Sequence, residues 1–349
     1  HDSWTTFRRT AEAMRLRAML AVPVRAEWLV GALTFYLGLS ELLLWRFLDV
    51  MPFAAYAAGG LLLSLLSWGV MRSVRAHSRA GDPSLAALIL CVTVALVLFA
   101  LGGEGRIFYS NIDWQVRDAV LRDMAIHPWP FVYTARSAPD VLRAPLATYF
   151  VPALAFKAWG ARAGDVVLLL QNSLLLGALL ALASELFKNS RERLAALGVF
   201  IAFSGWDIVG ALATRRFAEH MESWAGVQFS STITLAFWVP QHALAGWTGA
   251  LFYLLWRNGQ RPLSPLLTTL PLTALWSPLA LIGSMPFAAA AGAVALARRE
   301  LRMSDVVLPA GAVLLAFPGL LYMSAADQAV GSGTLPVTAR QYGLFEALE

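Results

Sequence analysis

The feature that most limits this chain is a succession of apolar runs separated by short arginine-rich connections. The runs are about 17–25 residues long, the length of a helix that crosses a bilayer. Apolar residues make up 58% of the 349 and charged residues 14%, whereas soluble domains carry about a quarter charged. A water-soluble globule cannot hide that much apolar surface, but a bundle of helices in lipid has no need to. The formal charge of +5 does not point to nucleic acid, because the arginines gather in the short connections, as topology selection produces. A lone cysteine, Cys91, lies inside an apolar run and offers neither a disulfide framework nor a thiolate metal site.

Taking apolar runs as spans, and the short loops rich in Arg and Lys as cytoplasmic, predicts an all-α polytopic membrane bundle of nine spans, N-terminus in and C-terminus out. The spans fall at residues 28–48, 52–71, 85–101, 166–187, 194–213, 232–256, 266–280, 282–297 and 306–323. Residues 1–27 carry Arg8, Arg9, Arg15, Arg17 and Arg25 and read as a basic amphipathic segment on the cytoplasmic face, not a cleavable signal. Residues 28–323 form the transmembrane domain and 324–349 an extracytoplasmic tail. Arg72, Arg75 and Arg79, then Lys188, Arg191 and Arg193, then Arg257 and Arg261, then Arg298, Arg299 and Arg302 mark the inner side. The outer side then holds two loops, 103–165 and 214–231. Within the first, residues 149–159 contain Pro152, are too short to span, and read as a surface helix. Counting them as a span would put Lys188, Arg191 and Arg193 outside.

The polar stretch 103–146 is the place for chemistry in so apolar a chain. Residues 112–124 read as an amphipathic helix lying on the outer leaflet. Its stripe is Ile112, Val116, Ala119, Val120 and Met124, with Trp114 at the interface. Asp113, Arg117, Asp118 and Arg122 lie off that stripe, and His127-Pro128-Trp129-Pro130 stops the helix. Asp113 is the candidate general base, since a carboxylate there can take a proton from a hydroxyl. Asp118 is the second candidate carboxylate. Asp113–Arg117 and Asp118–Arg122 are also i,i+4 pairs of the kind that decorate solvated helices. The company favours a site: Trp114, His127, Trp129 and Tyr133 suit a sugar, and Arg143 suits a phosphate.

A second constellation is Trp238-Val239-Pro240-Gln241-His242, at the outer end of the sixth run. Polar residues at that depth mark function or a buried hydrogen bond. Arg215 and Arg216 form a dense basic pair on the outer side, which suits an anionic ligand. Glu41 and Asp207 are the remaining carboxylates within runs. The outer histidines His127, His220 and His242 show no metal-ligand spacing, and there is no phosphate loop and no nucleophile elbow.

Asn111-Ile112-Asp113-Trp114, Pro128-Trp129-Pro130, Tyr149-Phe150-Val151-Pro152-Ala153, Trp238-Val239-Pro240-Gln241-His242 and Trp276-Ser277-Pro278 together resemble the polytopic GT-C glycosyltransferase superfamily. The resemblance covers roughly residues 85–323. It departs in two ways: the family carries this loop after its first span, and many members end in a soluble outer domain. The resemblance implies a multi-pass enzyme of the bacterial inner membrane that moves a sugar from a polyprenyl-phosphate donor to an acceptor hydroxyl on the outer face. Asp113 would be its base and Asp118 would position the acceptor or hold a divalent cation. Arg143, Arg215, Arg216 and His242 would hold the donor phosphate. Trp114, His127, Trp129, Tyr133 and Gln241 would hold sugar and acceptor. The partners implied are that lipid-linked sugar and the bilayer. Two other readings stand beside it. A transporter would need ionisable residues near the midplane, where Glu41 is the clear one. A scaffold subunit would use the loop aromatics to bind a membrane-protein partner.

Overall fold

Hydrocarbon offers backbone amides no partner, so a chain of this composition closes its hydrogen bonds within helices. The computed structural model describes residues 18–77, 79, 81–133, 142, 144–203, 212–213, 215 and 230–324. Among these residues there are helices and turns but no strands. The helices are α1 (Ala26–Leu48), α2 (Phe53–His77), α3 (Leu85–Leu101), α4 (Ile112–Ile126), α5 (Ala147–Trp159) and α6 (Ala161–Ala183). Then come α7 (Ser190–Ala202), α8 (Thr232–Trp238), α9 (Pro240–Arg257), α10 (Ser264–Leu272), α11 (Pro278–Ala297) and α12 (Ser304–Ser324).

Five helices are long and apolar enough to cross a membrane: α1, α2, α6 with the turn that extends it to Leu186, α11 and α12. The chain is therefore a membrane-embedded, multi-pass helical protein. α3 is equally apolar but has 17 residues. Three of the expected spans differ in form. Within the run 194–213, α7 ends at Ala202, because Phe203 is extended (φ −61°, ψ 121°); residues 204–211 lie outside the described ones. The run 232–256 is interrupted at Val239 (φ −138°, ψ 51°), and α9 restarts with Pro240 in its first turn, where its missing N–H costs nothing. The run 266–280 is a nine-residue helix, α10, followed by turns up to Ser277.

Contacts sort the helix ends into two groups. Arg46 at the end of α1 donates to Trp129 O (3.3 Å), Arg106 after α3 pairs with Asp165 at the start of α6 (2.7 Å), and Tyr322 near the end of α12 donates to Leu142 O (2.5 Å). This is the loop end, which also carries α4 and α5. At the arginine end, Ser73 near the end of α2 meets Ser264 at the start of α10 (2.7 Å). There too Arg261, after α9, pairs with Glu185, after α6 (2.6 Å), and its guanidinium donates to Gly81 O (3.2 Å).

Lipid tails are as apolar as leucine, so helices in a bilayer associate through close packing, not through exclusion from water. A Cβ on Gly177 of α6 would come 2.7 Å from Val92 Cα of α3. Only glycine lets those two backbones approach so closely. Likewise Gly319 of α12 makes room for the Glu41 carboxyl of α1, which is fully buried, with neither oxygen hydrogen-bonded.

The α4 helix is turned differently from the sequence expectation. Ile112 and Val116 are exposed, at 73% and 37%, while Trp114, Val120, Leu121, Met124 and Ala125 are buried. The helix packs on α5 and buries Trp114, Leu121 and Met124, while Arg117 donates to Gln241 of α9 and Asp118 accepts from Ser110. Neither Asp113–Arg117 nor Asp118–Arg122 comes within ion-pair distance.

Candidate active site

The site begins at the end of α3, where the apolar run stops at Gly102-Gly103-Glu104-Gly105-Arg106. Gly103 (φ 103°) and Gly105 (φ 75°) adopt left-handed backbone that side chains resist. A Cβ on Gly103 would lie 2.9 Å from Tyr109 O, and one on Gly105 3.1 Å from Leu169. The turn therefore folds flat against α6. It drives Glu104 inward and turns Arg106 onto Asp165, whose Oδ2 accepts from both Nε (3.0 Å) and Nη2 (2.7 Å). Arg162 donates to Gly105 O (2.7 Å) and fixes the turn from the other side.

The start of α4 is fastened to the same place. Asn111 caps the helix by accepting from Trp114 N–H (3.0 Å), and its amide donates to Gly102 O (3.3 Å) and Phe237 O (3.1 Å). The indole of Trp114 donates to the same Phe237 carbonyl (3.0 Å). Trp114 is therefore a buried strut between α4 and α8. Its face carries the Arg117 guanidinium at 5.4 Å, a cation–π contact. Arg117 also donates to Gln241 Oε1 at the start of α9.

Around Arg117 the polar groups converge. Glu104 is fully buried; its Oε1 accepts from Asn172 (2.7 Å) and its Oε2 has no hydrogen-bond partner. Burial holds its carboxyl far above the usual carboxylate range, against the opposing pull of Asn172 and Arg117. Asp118 is half-buried and accepts from Ser110 (3.4 Å). Burial pushes it up to about 6, opposed by the Arg106 charge and reinforced by Asp165. The buried Tyr149 phenol is pushed up to about 12 by burial; it feels Arg117, Asp118 and Glu104 and stays protonated. Behind these groups a chain of amides runs into the bundle: Tyr36 donates to Gln171 (2.5 Å), and Gln171 donates to Asn172 (3.1 Å) and Thr148 O (3.0 Å). His242 completes the group from α9. Its Nδ1 lies 2.7 Å from Ser277 Oγ, which caps α11 by accepting from Ala280 N–H (3.0 Å). A proton donated by Ser277 to Nδ1 leaves Nε2–H as the free donor.

Two carboxyls held in environments that separate their affinities for protons make an acid–base pair. Burial biases Glu104 toward its protonated form, while Asp118, pushed up to about 6, is mostly ionised at neutral pH yet able to accept a proton. Arg117 supplies positive charge within the same group. Among the described residues no set of three or more His, Cys, Asp or Glu is placed to hold a metal.

The remaining candidates lie elsewhere. Asp113 is half-buried and makes no hydrogen bond or ion pair with a described residue. Trp129 is buried, donates to Met124 O (2.7 Å) and packs edge-on against Phe47 (5.6 Å) and Phe150 (5.8 Å). His127 is exposed and stacks on Phe131 (5.1 Å), and Tyr133 donates to Asp123 (2.8 Å). None of these contacts reaches Asp118, Arg117 or His242. Together they form an aromatic cluster that seats the loop on α1 and α5. Arg215 is an exposed turn residue (φ 57°), while Arg143, Arg216, Asp207 and His220 lie outside the described residues.

Glu104, Arg106, Asp165, Asn172 and Tyr149 were not among the sequence candidates. The available signals were a charged residue between two glycines where an apolar run ends, and a Gln171-Asn172 pair inside a span. The chain matches no protein-family model, no curated protein and no solved structure.

Proposed function

We propose that this protein is a membrane glycosyltransferase of the GT-C kind, with Asp118 as its base in place of Asp113. The observation that carries the reading is a half-buried carboxylate, Asp118, pushed up to about 6, in one polar group with the Arg117 guanidinium and the buried Glu104 carboxyl at one end of a lipid-embedded bundle. The donor is a sugar on a polyprenyl phosphate, whose chain lies in the bilayer beside the helices. Asp118 takes the proton of an acceptor hydroxyl. That oxygen bonds to the anomeric carbon as the bond from that carbon to the phosphate oxygen breaks, and prenyl phosphate leaves with the electron pair. Arg117 and His242 Nε2–H face the developing phosphate charge, where preorganised donors contribute most. Glu104, fully buried, lies beneath the site and accepts from Asn172. Gln241 holds Arg117 in place, and Tyr149 is buried among the same groups.

The sidedness follows from charge. Arg72, Arg75, Lys188, Arg191, Arg257, Arg298 and Arg299 sit at the arginine end, which by the positive-inside rule is cytoplasmic. The loop end then faces outward, in a bacterial inner membrane. Nine passes, N-terminus in and C-terminus out, follow if α3, α7, the α8–α9 unit and α10 with its turns complete the crossings made by the five long helices.

The test is sugar transfer by the purified chain from a panel of polyprenyl-phosphate sugars. Asp118→Asn lowers the rate by about a hundredfold or more, the contribution of a positioned base, while donor binding persists. Asp113→Asn stays within a few-fold of wild type. Full activity in Asp118→Asn removes the base. No donor binding by demonstrably folded wild type removes the enzyme reading and leaves the scaffold reading in its place.

A further inference from the structure

At the arginine end a cleft of about 780 Å³ opens between α9, α11 and the start of α12. That volume falls within the range of small-molecule sites. Its rim carries Arg257, Arg298, Arg299 and Arg302, all exposed, and none forms an ion pair with a described residue. Its inner wall is apolar: Trp256 from α9 faces Ala291, Val294 and Ala295 of α11. Glu300 and Asp305 also border it, and Asp305 is engaged in holding the Arg302 backbone N–H (3.0 Å). Arg261, in the same cleft, is buried against Glu185 and serves as framework.

The way the two helices end sets Arg299 apart. α9 finishes with Gly259 N–H on Trp256 O (2.8 Å) and Gln260 N–H on Leu255 O (2.9 Å), and Gly259 takes a left-handed φ of 66°. α11 finishes in the same pattern, with Arg299 N–H on Leu296 O (3.0 Å) and Glu300 N–H on Ala295 O (2.9 Å). There the left-handed position, φ 55°, is held by Arg299. Glycine is the ordinary residue at that position because it has no Cβ to strain. α9 obeys the rule and α11 breaks it at the lip of the cleft, placing a guanidinium where the backbone alone would favour glycine. Asp49, Arg106 and Arg215 share left-handed backbone with Arg299, and of these four Arg299 is the one that lines the cleft. Topology selection and complementarity to the helix C-terminus account for basic residues at this end in general, but not for one in a glycine position.

From this cleft we infer a binding site for a phosphate-bearing lipid, with its headgroup among Arg257, Arg298, Arg299 and Arg302 and its chain along the α9–α11 groove. The apolar wall selects the lipid source of phosphate over a soluble one. Val294 on that wall is 38% exposed, so the groove stays open to a chain beside α11. The site lies at the opposite end from Asp118 and rests on no part of the glycosyltransferase reading.

The test reconstitutes the full chain into phosphatidylcholine nanodiscs doped with phosphatidylglycerol and measures the lipids retained after extraction by native mass spectrometry. Wild type retains phosphatidylglycerol over phosphatidylcholine, and the pair Arg298→Gln/Arg299→Gln loses about tenfold of that preference, the order expected when basic residues leave an anionic surface. Val294→Trp, which fills the apolar wall and leaves every arginine in place, loses it as well. Arg299→Gly lowers retention while raising the unfolding temperature, a combination that a damaged fold does not give. Equal retention of the two lipids overturns the site. So does full retention by Val294→Trp, which would make the binding a general property of the basic surface. Thermal protection by inorganic pyrophosphate, with no lipid preference, assigns the cleft to a soluble ligand and overturns the lipid.

Discussion

Asp118 and Asp113 sit on one helix little more than a turn apart, and their surroundings give them different chemistry. Asp118 is half-buried beside Arg106 and Asp165, and burial pushes it up to about 6. On the proposed role for Asp118, a base must be ionised to take a proton, so below that pH it is occupied and transfer fails. Sugar transfer by wild type should therefore rise with pH through about 6 and level off above it, falling by about tenfold per unit on the acid side. A rate profile from pH 4.5 to 8 checks this (about tenfold per unit being the slope of a single ionisation); a flat profile excludes Asp118 as the base. The residue choice itself was only half legible in the sequence. Two phases of α4 offer apolar stripes, one through Ile112 and Val116, the other through Trp114, Leu121 and Met124. Periodicity fixes that a helix is present. Which stripe is buried depends on what it meets, and the Phe237 carbonyl that receives the Trp114 indole lies far along the chain.

At the scale of the element, α4 is positioned by the residue that caps its start. Asn111 caps the helix and ties it to the ends of α3 and α8 through two further hydrogen bonds. Asn111→Ala removes all three at once. A cap alone is worth about 1 kcal/mol, and two hydrogen bonds add about 1 kcal/mol each. The variant should unfold at lower denaturant concentration and lose transfer activity with Asp118 untouched, because α4 no longer holds its angle. Normal activity with normal stability would mean that the start of α4 does not set the site. The sequence showed this element's ends well, since Asn111 and His127-Pro128 bracket it. It showed the later spans less well. Hydropathy averages over α7 and the extended Phe203 that ends it, over α8 and α9, and over α10 and the turns up to Ser277. The extended Phe203 and the break at Val239 are backbone choices that leave apolar content unchanged, so a composition window passes over them.

For the whole molecule, the separation of two ends determines what it can do. One end gathers carboxyls, amides and Trp114 around Arg117; the other gathers arginines around an apolar cleft. About 30 Å of hydrocarbon lies between two such faces, so the side on which each one sits decides which substrates it meets. Cys91 is buried within α3 and shielded from a membrane-impermeant maleimide, which leaves a quiet background for introduced thiols. Ile126 at the end of α4 is 53% exposed and Met303 before α12 is 75% exposed, so neither substitution disturbs the core. Ile126→Cys should react in intact spheroplasts, and Met303→Cys only after the membrane is permeabilised. That pattern follows from the placement of Arg72, Arg191, Arg257 and Arg298, because the charge of short loops sets orientation. The reverse pattern would turn the bundle over, place Asp118 in the cytoplasm and remove the outward-facing donor chemistry. Under that result the arginine-lined cleft would remain a lipid site, now in the outer leaflet, because its argument depends on Arg299 and the α9–α11 groove and not on the side they face.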